Sequence, residues 1–277
     1  VILTVVIITD LDGSLLSHST FSFKQIHNDI LELLDSGIHI VPASSKTKIE
    51  MNVFCSELGR ELPFVYENGA GIQNIRSLMP DSKLPNTLLS EKAVAVDNLW
   101  QVWVEKVPNE LKKQCLFVHE MDMKQQINLF GLKGERLENA LNREFSFCFK
   151  FVGNRAELRL LKHILDTNNL SFHQGGRVLT LSGKHNKSDF CELIQFYSRQ
   201  HGSSSFLVGV GDSENDVELL EACDVSCIIP RPHKPLLSLS IPLERTIIAG
   251  SIAPLGWLEA VRKALAINNI QKVANYG

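Results

Sequence analysis

The chain has 277 residues, 44% of them hydrophobic and 21% charged, proportions that supply a sizeable core and exclude a largely disordered polypeptide. Its 28 Lys and Arg stand against 31 Asp and Glu, for a formal charge of -3 at pH 7. No basic run offers a footprint for nucleic acid, so binding is expected at a local site.

Val1 to Thr9 is an apolar run followed at once by Asp10. It is too short for a membrane span and lacks the flank of a signal peptide, and it reads as a buried strand. Ile26, Ile30, Leu33 and Leu34 then recur at helical spacing before Gly37, a helix-stopping glycine. Ile38 to Ala43 reads as the second strand; Ile49, Val53 and Phe54 mark a helix closed by Gly59, and Phe64 to Tyr66 makes a third strand. From Asp81 to Gly175 the alternation loosens and Pro85 and Pro108 interrupt it, which predicts an inserted second domain. Regular alternation returns with a strand at Val178 to Leu181, a helix carrying Phe190, Leu193, Ile194 and Tyr197, a strand at Ser205 to Val210, a helix at Asn215 to Ala222 and a strand at Val225 to Ile229. A last helix from Trp257 to Ala266 is expected to pack on the core through Leu258, Val261 and Leu265.

The expected fold is therefore α/β: a doubly wound, mainly parallel sheet in a discontinuous core (1–80 and 176–277) with an α/β domain (81–175) inserted in it. Six cysteines, Cys55, Cys115, Cys148, Cys191, Cys223 and Cys227, show no Cys-x-x-Cys pair. They are expected as buried apolar side chains of a reduced cytoplasmic protein, with neither a zinc site nor a disulfide framework. Trp100 and Trp103 are expected in the core of the insert, and His185 and His233 at the surface.

In an open α/β sheet ligands bind beyond the carboxyl ends of the strands. Reading those positions gives Asp10-Leu11-Asp12-Gly13-Ser14, then Ser44-Ser45-Lys46-Thr47, then Gly211-Asp212-Ser213-Glu214-Asn215-Asp216, with Lys187 before the helix that leads into the last strand. Each alone is an ordinary turn, cap or surface lysine. Together they fit one mechanism: of two carboxylates spaced i, i+2, one can serve as nucleophile with the next within reach of the leaving group, while a carboxylate needs a cation beside it to approach a phosphate. Asp212 and Asp216 supply hard oxygen ligands that suit magnesium rather than zinc. Ser44 can donate to a phosphoryl oxygen, and Lys187 adds positive charge. Gly209-Val210-Gly211 lacks the third glycine of a dinucleotide loop, and no Walker-type loop is present.

In these motifs the chain resembles the haloacid dehalogenase superfamily of aspartate-nucleophile phosphatases: Asp10 to Ser14 match its first motif (with Ser14 where Thr is usual), Ser44 the second, Lys187 the third and Gly211 to Asp216 the fourth. A narrower resemblance is to the mannosyl-3-phosphoglycerate phosphatase group, carried by Ser44 to Thr47, Glu67-Asn68-Gly69-Ala70, Arg143-Glu144-Phe145-Ser146, Gly175-Gly176-Arg177 and Gly256-Trp257. Phe147-Cys148 stand where that group carries Glu-Pro. The resemblance implies that Asp10 attacks phosphorus and Asp12 protonates the leaving oxygen, then activates water. It implies Ser44, Ser45 and Lys187 around the phosphate. Magnesium would be held by Asp10, the Asp12 carbonyl and Asp212, with Asp216 binding directly or from one step behind. Arg143 and Arg177 become candidates for a substrate carboxylate, Glu67 and Asn68 for sugar hydroxyls, and Lys46 and Ser146 for further substrate contacts. The implied substrate is a small phosphorylated sugar or glycerate, with no nucleic acid or membrane partner. A phosphatase for another sugar phosphate, a phosphomutase, and a non-catalytic binding protein remain the alternatives.

Overall fold

Alternate residues of the first apolar run face opposite ways: Val5 and Ile7 lie in one buried cluster, Val6 and Ile8 in another. A strand apolar on both faces has to be covered on both. The computed structural model describes residues 3–174 and 178–275. Its elements begin with β1 (Leu3–Thr9), α1 (His27–Asp35), β2 (His39–Pro42), α2 (Lys48–Leu58), β3 (Phe64–Tyr66), β4 (Gly71–Gln73) and β5 (Thr87–Leu89). There follow α3 (Val96–Lys106), α4 (Asn109–Lys112), β6 (Cys115–Phe117), α5 (Met123–Phe130), α6 (Glu135–Leu141), β7 (Ser146–Phe151), α7 (Arg155–Thr167), β8 (Leu170–Gln174) and β9 (Leu179–Gly183). The chain closes with α8 (Cys191–Gln200), β10 (Ser204–Gly211), α9 (Val217–Ala222), β11 (Val225–Ile228), β12 (Thr246–Ile248) and α10 (Leu255–Asn275).

The central sheet has the order β12-β11-β10-β1-β2, and every pairing in it is parallel. Ile30 of α1, Met51, Phe54 and Leu58 of α2 and Trp257 and Val261 of α10 pack with Val5 and Ile7 on one face. Cys191 and Ile194 of α8 and Leu219 of α9 pack with Val6 and Ile8 on the other. This is the doubly wound arrangement the alternation predicts. Burial of each such side chain contributes roughly 1.5–3 kcal/mol. All carboxyl ends of the parallel strands point to one edge, and that fixes where a site can form.

Two expectations need correction. Phe64–Tyr66 does not extend the parallel sheet as a full strand. It touches β2 through a single bridge, Ala43 to Val65, and forms an antiparallel sheet with β4 and β5. Three residues after Pro63 the chain turns back sharply at Glu67 to Gly69, which leaves no room for a crossover. The strand expected at Val178 to Leu181 is β9, and it does not return to the central sheet. It lies in an antiparallel sheet of order β6-β7-β9-β8. The reason is in its pattern: Leu179 and Leu181 alternate with Thr180 and Ser182, the period of a strand with one apolar face, not of one buried between two helical layers.

In that second sheet Phe117, Phe149, Leu179 and Leu181 pack under Leu99 and Trp103 of α3 and Leu161 and Leu165 of α7, with Trp100 at the margin. The two tryptophans thus serve the core of this layer. The opposite face carries Ser146, Cys148, Thr180 and Ser182, all buried, and this polar face is turned to the site. All six cysteines are buried and free. His233 is exposed, but His185, expected at the surface, is fully buried. No helix among the described residues is long and apolar enough to cross a membrane.

Candidate active site

β1 delivers Asp10 at its carboxyl end, where Asp10 N donates to Val210 O of the neighbouring strand at 2.9 Å. Gly13 follows with φ +94, a conformation open to glycine, and a Cβ there would lie 2.5 Å from Asp212 Oδ2. The loops after β1 and β10 therefore fit into one another. The carboxylates of Asp10, Asp212 and Asp216 bring oxygens within 4.8 Å of one another, and all three are buried.

Lys187 answers this charge. Its Nζ donates to Asp10 Oδ1 at 2.5 Å and to Asp216 Oδ1 at 2.7 Å, and it is itself buried. Burial works against the ammonium, but Asp10 and Asp216 outweigh burial and hold its pKa above the ordinary lysine value. Burial drives Asp10 well above the usual carboxylate range; Lys187 opposes, and Asp216 and Asp212 add to the rise. Asp212 is pushed up to about 7, first by burial and then by Asp216, with Arg231 and Lys187 opposing. Such crowded carboxylates mark a place where a cation or a reacting group is accommodated.

The four acidic groups are not equivalent. Asp216 spends its second oxygen on the main-chain N–H of Asp212 and Ser213, at 3.1 and 3.0 Å, and on the Ser213 hydroxyl. It braces the loop more than it offers a free ligand. Asp10 Oδ2 and Asp12 Oδ1 are buried and find no hydrogen-bond partner among the described residues. These oxygens, with Asp212, are the ones able to meet a ligand, and hard carboxylate oxygens fit magnesium.

Asp12 pairs through Oδ2 with Lys46 Nζ at 2.7 Å. Lys46, expected to touch substrate, thus first serves the acid beside it. Ser44 is buried and its Oγ accepts from Lys46 N at 3.3 Å, while Ser45 offers its carbonyl to Arg143. Arg143 Nε donates to Ala140 O at 3.1 Å, and Nη1 donates to Ser45 O at 3.2 Å and to Ser146 Oγ at 3.1 Å. Two of its three nitrogens are thereby engaged with the protein.

Glu67 departs from expectation most. Both its carboxylate oxygens are taken by Glu144 N at 2.9 Å, Phe145 N at 3.1 Å and the Ser146 hydroxyl, so they do not face a sugar. Neighbouring Asn68 is buried, and its Oδ1 has no hydrogen-bond partner among the described residues. Gly175, Gly176 and Arg177 lie outside the described residues, and with them the expected role of Arg177. Two residues escaped the sequence reading: Arg231, whose Nε lies 3.9 Å from Asp212 Oδ2, and His185, whose Nε2 meets the Glu67 carbonyl at 3.0 Å. Arg231 follows β11 closely, so the strand-end rule that found the others would have found it. Nothing in the sequence marks His185.

The set can deliver a buried carboxylate oxygen to an electrophile, hold a cation beside it and pass a proton at Asp12. Comparison with known proteins identifies the family. The sequence profile described as haloacid dehalogenase-like hydrolase matches residues 7–238. A glucosyl-3-phosphoglycerate/mannosyl-3-phosphoglycerate phosphatase of Persephonella marina is 29% identical over 272 residues, 96% of this chain and 98% of that protein. A mannosyl-3-phosphoglycerate phosphatase of Pyrococcus horikoshii is 29% identical over 211 residues, 72% of this chain and 81% of that protein. In architecture the chain is similar to a haloacid dehalogenase-like hydrolase from Bacteroides thetaiotaomicron, with a TM-score of 0.59 at 15% identity, covering 96% of this chain and 99% of that one.

Proposed function

Because the chain belongs to the haloacid dehalogenase-like hydrolases and is a phosphoric monoester hydrolase, we propose that it is a magnesium-dependent phosphatase working through a phospho-aspartate at Asp10, with mannosyl-3-phosphoglycerate as its substrate. The observation that carries the reaction is the free, buried Oδ2 of Asp10 beside an Oδ1 clamped by Lys187. One oxygen is held and the other is aimed. Asp10 Oδ2 attacks phosphorus while the ester oxygen departs with the proton of Asp12. Asp12 then takes a proton from water, the hydroxide attacks the phosphoryl group, and phosphate leaves as Asp10 is regenerated. Lys46 Nζ, 2.7 Å from Asp12, holds that carboxyl in place for both transfers.

Asp10, the Asp12 carbonyl and Asp212 would hold the magnesium ion, with Asp216 behind them; when bound, the ion offsets the repulsion between carboxylate and phosphoryl oxygens. Ser44, Ser45 and Lys187 are the phosphate contacts of this reading. The 81–175 insert, extended by β9, is proposed as the cap that selects the substrate, with Ser146, the remaining nitrogen of Arg143 and Arg177 as its contacts to sugar and glycerate and Asn68 facing it from the core. The names of the two relatives support the substrate class. The six buried thiols fit a reducing, cytoplasmic setting.

The test measures phosphate release from mannosyl-3-phosphoglycerate, other sugar phosphates and an aryl phosphate, with and without magnesium, for the wild type and Asp10→Asn. The nearly isosteric change removes the nucleophile and is expected to lower kcat by at least about 10³, roughly 4 kcal/mol of barrier. The glycerate ester is expected to show the highest kcat/KM. Activity within tenfold of wild type in Asp10→Asn would overturn the nucleophile, and a preference for the aryl phosphate would overturn the substrate.

A further inference from the structure

Glu67 sits where three parts of the site meet, on a turn whose backbone is unusual. Glu67, Asn68 and Gly69 run through φ of +45, +58 and +106. Two consecutive non-glycine residues in the left-handed region cost about 1–2 kcal/mol each, and such strain persists only where its surroundings enforce it. Those surroundings are explicit. Glu67 N donates to Lys46 O at 2.8 Å and Asn68 N to Ser44 O at 2.9 Å, so the turn is sewn to the loop after β2. The Glu67 carbonyl accepts from His185 Nε2 at 3.0 Å, two residues before Lys187. At Gly69 a Cβ would lie 1.9 Å from Asn186 O, so the turn also abuts the main chain next to Lys187.

The side chain then reaches the opposite way. Its carboxylate accepts from the main chain of Glu144 and Phe145 and from the Ser146 hydroxyl, at the start of β7 in the antiparallel sheet. Arg143 stands beside it: Nη1 bridges Ser146 Oγ and Ser45 O, and the guanidinium answers the buried negative charge. Thr47 Oγ1 adds one more tie, to Asn139 O of α6 at 2.8 Å.

We infer that Glu67 is a positioning residue: its carboxylate pins the Glu144–Ser146 segment of the cap over the reaction centre, from a turn whose main chain is fixed to Ser44 and Lys46 on one side and to the Lys187 segment on the other. The two jobs belong to different atoms. Backbone groups of residues 67 and 68 set the phosphate side and do not depend on the side chain; the carboxylate sets the Glu144–Ser146 side, next to the separate ties of Arg143 and Thr47. Ser146 is held in register for the leaving group by this contact, and Arg143 through its bond to Ser146 Oγ as well as to Ala140 O and Ser45 O. The consequence for turnover rests on the proposed reaction, while the latch itself is open to a test without substrate.

Glu67→Gln is the variant. An amide keeps one accepting oxygen but turns an NH2 toward main-chain N–H donors, so the three-fold contact cannot be kept. Hydrogen exchange of the substrate-free protein is expected to accelerate at the amides of Glu144 and Phe145 by tenfold or more, with β1 and β10 unchanged. In turnover, kcat/KM for mannosyl-3-phosphoglycerate is expected to fall about tenfold to a hundredfold, chiefly through KM, while an aryl phosphate, which does not reach the cap segment, stays within threefold. Unchanged exchange at Glu144 and Phe145 overturns the latch; so does an equal loss on both substrates. Accelerated exchange in a protein that never hydrolyses the glycerate ester upholds the latch and overturns the substrate assignment. Should Glu67→Gln fail to accumulate folded, Ser146→Ala removes one donor to the carboxylate without burying an amide and is expected to accelerate exchange at Glu144 and Phe145 in smaller measure; unchanged exchange there overturns the inference equally.

Discussion

A buried carboxylate keeps its charge only when a cation makes up for the lost water, and at Asp212 the protein supplies too little positive charge to do so. Its pKa stands at about 7 against an ordinary 3.8. Between those values the folded chain holds a proton that the unfolded chain has released. The contribution of this group to stability is therefore fully present below pH about 4 and is lost as the pH rises through about 7, for a total on the order of a few kcal/mol. Thermal unfolding without divalent ions is expected to show this loss between about pH 4 and pH 7, and magnesium is expected to raise Tm more at pH 8, where the site is deprotonated, than at pH 5. Asp212→Asn should flatten both trends; an equal magnesium effect at the two pH values would refute the account. At this scale the sequence was most informative where chemistry is attached to strand ends: Asp10, Asp12, Asp212 and Asp216 meet because the parallel strands β1 and β10 point one way, and Lys187 joins them from the segment before α8. The hydrogen bonds that hold Glu67 and His185 were not legible because most of their partners are main-chain atoms. A list of side chains carries no sign of which N–H or carbonyl another segment will present.

At the scale of elements, α2 shows how a local signal also serves the site. Thr47 caps it, accepting from Glu50 N at 3.2 Å while Glu50 Oε2 accepts from Thr47 N at 2.9 Å, and Gly59 ends it with φ +73. The Thr47 hydroxyl still has a proton to give, and it goes to Asn139 O. Thr47→Ala is therefore expected to cost about 1–2 kcal/mol in urea unfolding, and Thr47→Ser, which keeps the hydroxyl, less than half of that. Equal effects of the two would mean that the methyl group, not the cap, matters. The helix and its stop were legible in spacing and glycine placement. Its buried face was less so: Ile49 and Val53 are 36% and 38% exposed, and Met51, Phe54, Cys55 and Leu58 make the contact instead. Hydrophobicity marks which residues can be buried, and the packing of α2 against the sheet decides which of them are. β9 was misassigned for a related reason, since a short apolar run does not say which sheet it will join.

For the whole molecule, the α/β class followed from alternation, but the order β12-β11-β10-β1-β2 did not, because period and length report burial and are silent on neighbours. That order has a measurable consequence. β1 and β10 are hydrogen-bonded on both sides, while β12 and β8 are edges of their sheets. Native-state hydrogen exchange is expected to be slowest in β1 and β10 and fastest in β12 and β8; exchange in β12 as slow as in β1 would contradict the arrangement. The same order bears on how the molecule comes into being. Leu3 pairs with Ser204 and Thr9 with Val210, so the strand that carries Asp10 finds its main partner only after the intervening chain has been made. At roughly 5–20 residues per second of synthesis, its Val-Val-Ile-Ile core waits on the order of 10–40 s beside a ribosome before β10 emerges. During that time the chain has no reaction centre, and β1, with β2 as its neighbour, keeps one edge unpaired and open to association with other chains.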